Sequence, residues 1–528
     1  MRPRYDIDVR LFFFADRKPF LGLALDSRTR RQLSATCKEL LAEGIHLEGL
    51  YVGQLAEDKD PRLEPHFELL GRVANVRGDQ LALDDARDDV AEVHAEGAVL
   101  EPSSRTYAVV LDQLYGARTE AIREALFKKL SQRRVGPAKL EDLRRVLDYL
   151  RKQNFEVTPG VHVVVGELLD NRSKRFPRID QASAKPVYVF DPTGARTSTW
   201  ADAGLTQHGP YSRQTFPKNR PRICVICQGS AKGRVEQFLH KFFNGQKHPK
   251  RSPGPLDHGL VGKYRLEGVA TSFFLADHAT APSYQRAALA AISHDDRWDL
   301  ALVQIEQRFR DLDGDANPYL VTKHEFLTHQ IPVQQFTLET AALWEGQLAF
   351  ALNNMALATY AKLGGTPWLL EADRTIAHEL VIGIGTAEVG NGRLGDRERV
   401  VGFTTVFSGD GNYRVANRSR AVPFTQYEEA LVETLKVTVA TVASDMNWQA
   451  GDHVRLVFHA FKPFKNAEAG AVKALMKSLD TYDVEYAFLE VSERHPYLLF
   501  DQAQEGAYDY ETKTHKGKYA PDLSAAAF

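Results

Sequence analysis

The sequence is poor in cysteine, in long apolar runs and in net charge. Its 528 residues include three cysteines, and so few thiols exclude a disulfide framework and indicate a reducing compartment, with the cytoplasm as the default expectation. No stretch approaches the roughly 18 uncharged apolar residues of a membrane span, and the N-terminal apolar block, broken by Asp16, is no secretory signal. Lysine and arginine number 67 against 69 acids, so the average charge neither favours nor excludes nucleic acid.

Two of the cysteines, Cys224 and Cys227, form a C-x-x-C pair within the segment RICVIC. A zinc or redox pair needs both thiols to converge, usually at a turn or a helix start. The apolar run predicts a strand, and side chains three positions apart on a strand point to opposite faces. We therefore predict two separate core residues and no metal or redox site.

The composition is that of an ordinary soluble protein, with 43% hydrophobic and 26% charged residues, and the length predicts several domains. Residues 1–105 are predicted to be rich in β-strands, with a hairpin at 71–83 around an Arg-Gly-Asp turn. The acidic stretch 84–97 is predicted to be a solvated loop. Leucines at helical spacing predict helices over 117–155, and VHVVVGELL predicts a strand at 161–169.

Three basic runs, 128–139, 171–178 and 213–222, contain no acid. They are compatible with three solvated loops or, if they converge in space, with a groove that follows a phosphate backbone. The sequence leaves both alternatives open. On the second interpretation, the candidate residues for contacts with the backbone are Arg172, Lys174, Arg175, Lys218 and Arg220.

The segment from 222 onwards predicts the start of a doubly wound α/β sheet. The strand RICVIC is followed by a predicted helix at 233–245, whose apolar residues form one stripe and which ends at Gly245. A helix at 317–328, a strand at 331–337 and a long helix at 338–365 are predicted next. The stripe of the first helix consists of Val235, Phe238, Leu239, Phe242 and Phe243.

The last part of the chain predicts three strands, a helix, a strand, a helix and a strand. This is the element order of an RNase H-like fold. The first strand is a short apolar run of the kind that is covered on both faces, and Gly385 stands at its predicted end. The predicted bounds are 379–385, two strands within 400–417 about an Asp-Gly turn, 424–443, 453–461, 466–480 and 485–492.

Six segments make the sequence resemble a prokaryotic Argonaute in its MID and PIWI domains. They are GRVEQFLHKFFNG (233–245), GKYRLEG (262–268), PYLVTKHEFLTHQIPVQQ (318–335), NNMALATYAKLGGTPW (353–368), HELVIGIG (378–385) and VRLVFHAFKPF (454–464). The resemblance implies an α/β chain with a Rossmann-like MID domain and an RNase H-like PIWI domain after a β-rich N-terminal region.

The resemblance also implies a division of the chain. The N-terminal and first-linker region would be 1–105, a helical segment with the second linker 106–220, the MID domain 221–345 and the PIWI domain 346–528. About 60 largely helical residues lie where a PAZ domain would be, too few for its barrel, so we expect none. Family members usually continue beyond a segment like GKYAP (517–521), so we expect a PIWI domain that is C-terminally short, naturally, by division into two polypeptides or by truncation.

Argonautes anchor the 5′ phosphate of a guide strand with a tyrosine, a lysine, a glutamine and a second lysine. Tyr319 and Lys323 are four residues apart and so share one helical face, and Gln335 could replace Gln334 if the alignment slips by one. Ala358 stands where many relatives have a further lysine, so the pocket would have one cation fewer. The positions that match the family's four residues are Tyr319, Lys323, Gln334 and Lys362.

Each of these residues also has a structural interpretation. Tyr319 is compatible with a half-buried aromatic residue on a helix, and Lys362 with a cation that complements a helix C-terminus. Taken singly, those interpretations are favoured. Together with KLGG and the downstream strands, the pocket is the better interpretation, because the context supports the motif.

The resemblance identifies two positions at which active Argonautes have catalytic aspartates. Here they are Gly385 and, near the end of the strand HVRLVFHAF, Phe461, and 459–462 contain no carboxylate. Cleavage of a phosphodiester by two metal ions needs clustered carboxylates, which glycine and phenylalanine do not supply. Glu388 and Asp410 are near in sequence but do not occupy matching strand ends. We therefore expect a protein that binds and does not cut.

The resemblance implies that the protein holds a short guide, with RNA favoured, and recognises a complementary strand, with DNA favoured. Base pairing would supply specificity, while the protein would contact mainly backbone. A role in prokaryotic defence against plasmids or phage would then need a separate effector protein. The one candidate cofactor that the family implies is a Mg²⁺ ion bridging the guide 5′ phosphate, and no catalytic cofactor is expected.

Two alternatives remain open at this point. The chain is also compatible with a scaffold subunit that recruits or activates an effector, which the acidic segment 84–97 and the short C-terminal part would suit. The third interpretation is an active nuclease that uses displaced carboxylates such as Glu388.

Overall fold

The computed structural model describes most of the chain. The described residues are 2–13, 19–30, 35–56, 66–87, 90–134, 136–169, 186–294, 297–312, 314–371, 376–389, 394, 399–461, 465–491, 508–509 and 514–515. None of the helices in these ranges combines the length and the apolar character needed to cross a bilayer.

The N-terminal region is rich in strands, as predicted. Strands β1 and β2 form an antiparallel pair, and β6-β5-β4-β3-β7 form a five-stranded sheet. The hairpin predicted at 71–83 is confirmed, since Arg77 pairs with Gln80 across a turn in which Gly78 has φ 61°. The elements are β1 (Arg2–Phe13), β2 (Pro19–Arg30), α1 (Cys37–Ala42), β3 (Tyr51–Ala56), β4 (His66–Arg77), β5 (Gln80–Asp84), β6 (Glu92–His94) and β7 (Val99–Leu100).

The helical segment that follows agrees with the predicted helices over 117–155. Its amphipathic last helix buries Leu140, Leu143, Leu147 and Leu150. A short strand pair and three further elements lead to the next sheet. These elements are α2 (Ser104–Tyr115), α3 (Thr119–Arg134), α4 (Gly136–Arg151), β8 (Phe155–Thr158), β9 (Val161–Val163), β10 (Tyr188–Val189), β11 (Thr197–Ser198) and α5 (Ala201–His208).

A four-stranded parallel sheet in the order β13-β12-β14-β15 occupies the middle of the chain. Helices cover both of its faces, as in other doubly wound sheets. The elements of this part are β12 (Arg222–Gln228), α6 (Lys232–Asn244), α7 (Gly259–Lys263), β13 (Ala270–Ala276), α8 (Ala281–His294), β14 (Leu300–Ile305), α9 (Pro318–Thr328), β15 (Val333–Thr337), α10 (Leu338–Ala341), α11 (Glu345–Lys362) and β16 (Leu369–Leu370).

The two cysteines of β12 lie on opposite faces of this sheet, as their spacing predicts. Cys227 belongs to the core under α6 and α11, whereas Cys224 belongs to the core under α8. Burial raises the pKa of the Cys224 thiol to about 12 and that of Cys227 to about 11, so both remain protonated at neutral pH. They are core residues.

Helix α11 begins where the MID–PIWI boundary was predicted, yet it packs against the parallel sheet. Leu348, Leu352, Ala356 and Tyr360 share one buried cluster with β12, β14 and α6. The preceding helix α10 ends at Ala341, and Ala342–Trp344 interrupt the single helix predicted at 338–365. A new helix begins at Glu345, with Trp344 at its N-cap position outside helical geometry.

The second large sheet has the strand order β19-β18-β17-β21-β22. The first three strands are antiparallel and the last three parallel, with α12 and α13 packed on one face, which agrees with the predicted RNase H-like order. The elements are β17 (His378–Val389), β18 (Arg399–Ser408), β19 (Tyr413–Arg418), β20 (Val422–Pro423), α12 (Tyr427–Asp445), β21 (His453–Ala460), α13 (Asn466–Met476) and β22 (Asp483–Glu490), followed by the pair β23 (Tyr508–Asp509) and β24 (Thr514–His515).

Three further predictions were wrong in detail. The acidic segment 84–97 is not entirely loop, because β6 within it pairs with β5. The strand predicted at 161–169 is limited to β9, since 164–169 have no regular structure and Val164 is 88% exposed. The strand predicted at 379–385 continues to Val389, because β18 provides a longer antiparallel partner.

Candidate functional site

Helix α9 places the first two predicted phosphate ligands on one face. The side chain of Asn317 caps the helix by accepting hydrogen bonds from the backbone N–H groups of Tyr319 (2.9 Å) and Leu320 (3.3 Å), and Pro318 opens the first turn. One turn later, Nζ of Lys323 lies 5.6 Å from the centroid of the Tyr319 ring. The cap therefore fixes the helix start from which both side chains project.

The end of α11 reaches the same place from a distant part of the chain. Lys362, the last residue of this helix, donates from Nζ to the backbone carbonyl of Val333 (2.7 Å) and to Oε1 of Gln334 (2.8 Å). Gln334 in turn donates from Nε2 to the carbonyl of Gln335 (2.8 Å). The contact with Lys362 is thus made by Gln334 and not by its neighbour.

The charges of Lys362 and Lys323 act on each other. Burial lowers the pKa of Lys362, and the positive charge of Lys323 lowers it further, with no acid contributing in the opposite direction. Two cations close enough to interact, and lacking an intervening carboxylate, favour a bound anion. An ammonium has three donors, and Lys362 directs two of them to protein oxygens, so one remains for a ligand.

The structure thus brings the four predicted residues together, with Lys362 bonded to Gln334, Lys323 beside Tyr319 and the two lysines close enough to interact. Within the part of the chain that the structure describes, Lys323 has no hydrogen bond or ion pair, and no group of three or more His, Cys, Asp or Glu side chains could hold a metal ion. Ala358, one turn before Lys362, adds no donor. The donor set does not fit a Mg²⁺ ion held by these side chains, because such an ion prefers carboxylates.

A buried lysine that was not predicted holds α11 in position. Nζ of Lys263 donates to Oδ1 of Asp202 (2.6 Å), to the carbonyl of Pro255 (2.9 Å) and to Oδ1 of Asn353 (2.7 Å), and only 3% of its side chain is exposed. All three of its donors are used, which a buried ammonium requires. Lys263 is the lysine of GKYRLEG, but nothing in that segment indicates that its partner Asn353 is on α11.

The two positions expected to carry catalytic aspartates lie side by side. Ile384 and Ala460 form the last parallel pair between β17 and β21, so Gly385 and Phe461 come next on the two strands. Gly385 is inside the longer β17, opposite Phe403 of β18, and a Cβ added to it would have open space. Phe461 is 69% exposed.

The two acids weighed above as displaced carboxylates, Glu388 and Asp410, are placed differently. Glu388 lies three residues beyond Gly385, on an exposed part of β17. Asp410 accepts hydrogen bonds from Oγ of Ser408 (2.6 Å) and from the backbone N–H of Asn412 (3.0 Å), and so stabilises the turn between β18 and β19. Its role is explained by the turn.

The predicted basic groove is only partly described. Lys218 lies 3.4 Å from Oδ1 of Asp299, so part of its charge is compensated, whereas Arg220 is exposed. The positions of the other three candidates are outside the described residues. These are Arg172, Lys174 and Arg175.

Comparisons with known proteins agree with this architecture. The Piwi domain family model matches residues 313–518. A relative from Cereibacter sphaeroides described as "Protein argonaute" is 31% identical over 99% of this chain and 67% of its own length. The chain spans about two thirds of the length of this relative and of the two solved structures described next.

Two solved structures share the fold at low sequence identity. Clostridium butyricum Argonaute bound to a guide DNA and a 19-mer target DNA superposes with a TM-score of 0.56 and 13% identity, covering 94% of this chain and 66% of that one. A. aeolicus Argonaute superposes with a TM-score of 0.53 and 17% identity, covering 92% of this chain and 64% of that one.

Proposed function

Because this chain belongs to the Argonaute family, we propose that it holds a short guide strand by its 5′ phosphate and uses the guide to recognise a complementary strand without cutting it. The observation that supports the proposal most directly is the convergence of Lys323 on α9 with Lys362 on α11, beside Gln334 and Tyr319. Lysine ammonium groups form strong charge-assisted hydrogen bonds with phosphate oxygens, and the amide and phenol groups add neutral ones.

In this proposal the protein itself contributes little to the choice of target sequence. The guide would select its target by base pairing, while the protein would bind backbone and shape. We assign RNA to the guide and DNA to the target. The absence of cutting rests on Gly385 and Phe461, which lack the carboxylates that two catalytic metal ions need. Defence against plasmids or phage would then depend on a separate effector protein that responds to target binding.

The nucleic acid that accompanies the purified protein tests this function. We expect short strands with 5′ phosphates to co-purify, and extraction, nuclease digestion and sequencing will show whether they are RNA or DNA. The Lys323→Ala/Lys362→Ala variant should lose them. Wild-type protein that purifies without nucleic acid, and that has no affinity for added 5′-phosphorylated strands, would contradict the proposal.

Guide binding is expected to weaken at alkaline pH. The second pKa of a phosphate is about 6, so above neutral pH its charge is constant, whereas Lys362, whose pKa is lowered by burial and by Lys323, loses its proton below the ordinary lysine value of about 10.4. The preference for 5′-phosphate over 5′-hydroxyl strands should therefore fall as the pH rises towards that value. Fluorescence anisotropy with matched strands across this range measures it.

The matched variant for this test is Lys362→Arg, because arginine keeps its charge at every pH used. We expect the phosphate preference of this variant to change less with pH than that of the wild type. An equal decline in both proteins would assign the titration to another group, and a preference that rises with pH would refute the role of Lys362.

A further inference from the structure

A short basic loop, remote in sequence from the phosphate site, is closed by a backbone bridge. The N–H of Gln246 donates to the carbonyl of Leu256 at 3.0 Å, and these residues pair as an isolated β-bridge. Between them the segment KHPKR (247–251), here named the KHPKR loop, carries three cations and a histidine, and no acid occurs in 246–256. The bridge therefore presents concentrated positive charge on a closed loop.

The KHPKR loop packs onto two aromatic residues at the start of α11. The His248 ring, 6% exposed, contacts Trp344 edge-on at 5.9 Å and Phe350 at 5.5 Å between centroids. Nζ of Lys250 lies 5.7 Å from the Trp344 centroid, and Cζ of Arg251 lies 5.1 Å from the Phe350 centroid. These cation–π contacts hold the cations beside the rings.

Both rings nevertheless keep a large exposed surface. Trp344 is 48% exposed and Phe350 is 40% exposed, although each is large and apolar. His248 orders the loop from its buried side, because its Nδ1 accepts a hydrogen bond from the backbone N–H of Lys250 at 3.1 Å. Exposed aromatic side chains next to cations are the combination with which proteins bind unpaired nucleotides.

This patch is separate from the phosphate site. It lies at the first residues of α11, and Lys362 is the last residue of the same helix. At 1.5 Å per residue, a helix of 18 residues separates them by roughly 27 Å. One phosphate cannot contact both places, so the patch would contact a different part of a strand.

We propose that the KHPKR loop, Trp344 and Phe350 form a second contact for single-stranded nucleic acid. An unpaired base stacks on the exposed part of the Trp344 indole, while Lys247 and Lys250 neutralise neighbouring phosphates. The partner is single-stranded because the bases of a duplex already stack on one another and leave no face for the indole. The proposal rests on the proposed function in assuming a nucleic-acid ligand, but it does not depend on the 5′-phosphate site.

The test uses the full chain freed of co-purified nucleic acid and fluorescein-labelled oligo(dT) with either a 5′ hydroxyl or a 5′ phosphate. Stacking contributes about 1–3 kcal/mol per base, so Trp344→Ala should weaken binding of both strands by roughly 5- to 150-fold. Trp344→Phe should retain most of the affinity. Lys247→Ala/Lys250→Ala should reduce the slope of log affinity against log salt by about 1.4, since each single-strand phosphate contact contributes about 0.7.

Substitutions at the two sites should change strand binding in different ways. Patch variants should keep the wild-type ratio of 5′-phosphate to 5′-hydroxyl affinity, whereas Lys323→Ala/Lys362→Ala should lower that ratio towards one and leave the Trp344 effect intact. The matched control for charge is Lys436→Ala/Lys477→Ala, because Lys436 is exposed on α12 and Lys477 is exposed directly after α13. Thermal melting of each variant confirms that it is folded.

Three results would overturn the proposal. Patch variants that bind oligo(dT) with wild-type affinity and salt slope would show that the patch makes no such contact. An equal loss in Trp344→Phe and Trp344→Ala would assign Trp344 to the structure of the helix start. Poly-glutamate that competes as well as unlabelled oligo(dT) would assign the patch to an acidic polypeptide.

Discussion

Replacing Lys323 and Lys362 together by alanine is expected to weaken binding of a 5′-phosphorylated guide by roughly 10²- to 10⁴-fold. A hydrogen bond to a charged group contributes about 1.5–3 kcal/mol, and the variant removes one such donor from each lysine. Since 1.4 kcal/mol corresponds to a factor of ten, the two losses give this range. Titration of labelled guide, followed by fluorescence anisotropy, measures the change.

The controls separate loss of phosphate contacts from loss of fold. A 5′-hydroxyl guide should lose little affinity in the same variant, because it has no phosphate at the site. Gln334→Ala should weaken phosphate binding moderately, since Gln334 holds Lys362, while Gln335→Ala should not. If the lysine variant binds both guides like the wild type, the four residues are not the guide anchor.

A matched target strand is expected to remain uncut in the presence of either Mg²⁺ or Mn²⁺. Two-metal cleavage places the ions about 3.5–4 Å apart between carboxylates, and the adjacent strand positions here hold Gly385 and Phe461. Product should form at the uncatalysed rate, at least about 10⁶-fold below that of a nuclease. Denaturing gels of guide-loaded protein with labelled target measure it.

Glu388→Gln is the informative variant for this prediction. If the protein cuts a matched target in a metal-dependent way and the variant does not, a displaced carboxylate supports catalysis and the chain is an active nuclease. Gly385→Asp serves as the converse control. It should leave the melting temperature nearly unchanged, because the space above Gly385 is open, and alone it should not introduce cutting.

The sequence predicted secondary structure well in segments where the side chains follow one clear helical or strand periodicity. The apolar stripe of 233–245 became α6 with Gly245 at its end, and the spacing of Cys224 and Cys227 correctly predicted opposite faces. The prediction of a single long helix at 338–365 was wrong, because the structure has two helices there. The break at Ala342–Trp344 contains no glycine or proline that would indicate it in the sequence. Its position depends on how two helices pack around the sheet.

The sequence by itself determined which residue types are available for the proposed chemistry and how they are spaced along the chain. The i, i+4 spacing of Tyr319 and Lys323, and the glycine at 385, can be read from the chain because helical and strand periods relate near neighbours. Only the tertiary structure decided that Lys362 contacts Gln334, 28 residues away, that Lys263 contacts Asn353, and that the KHPKR loop meets Trp344. Such contacts join residues far apart in the chain, and no local period encodes them: the packing of helices on a shared sheet brings them together.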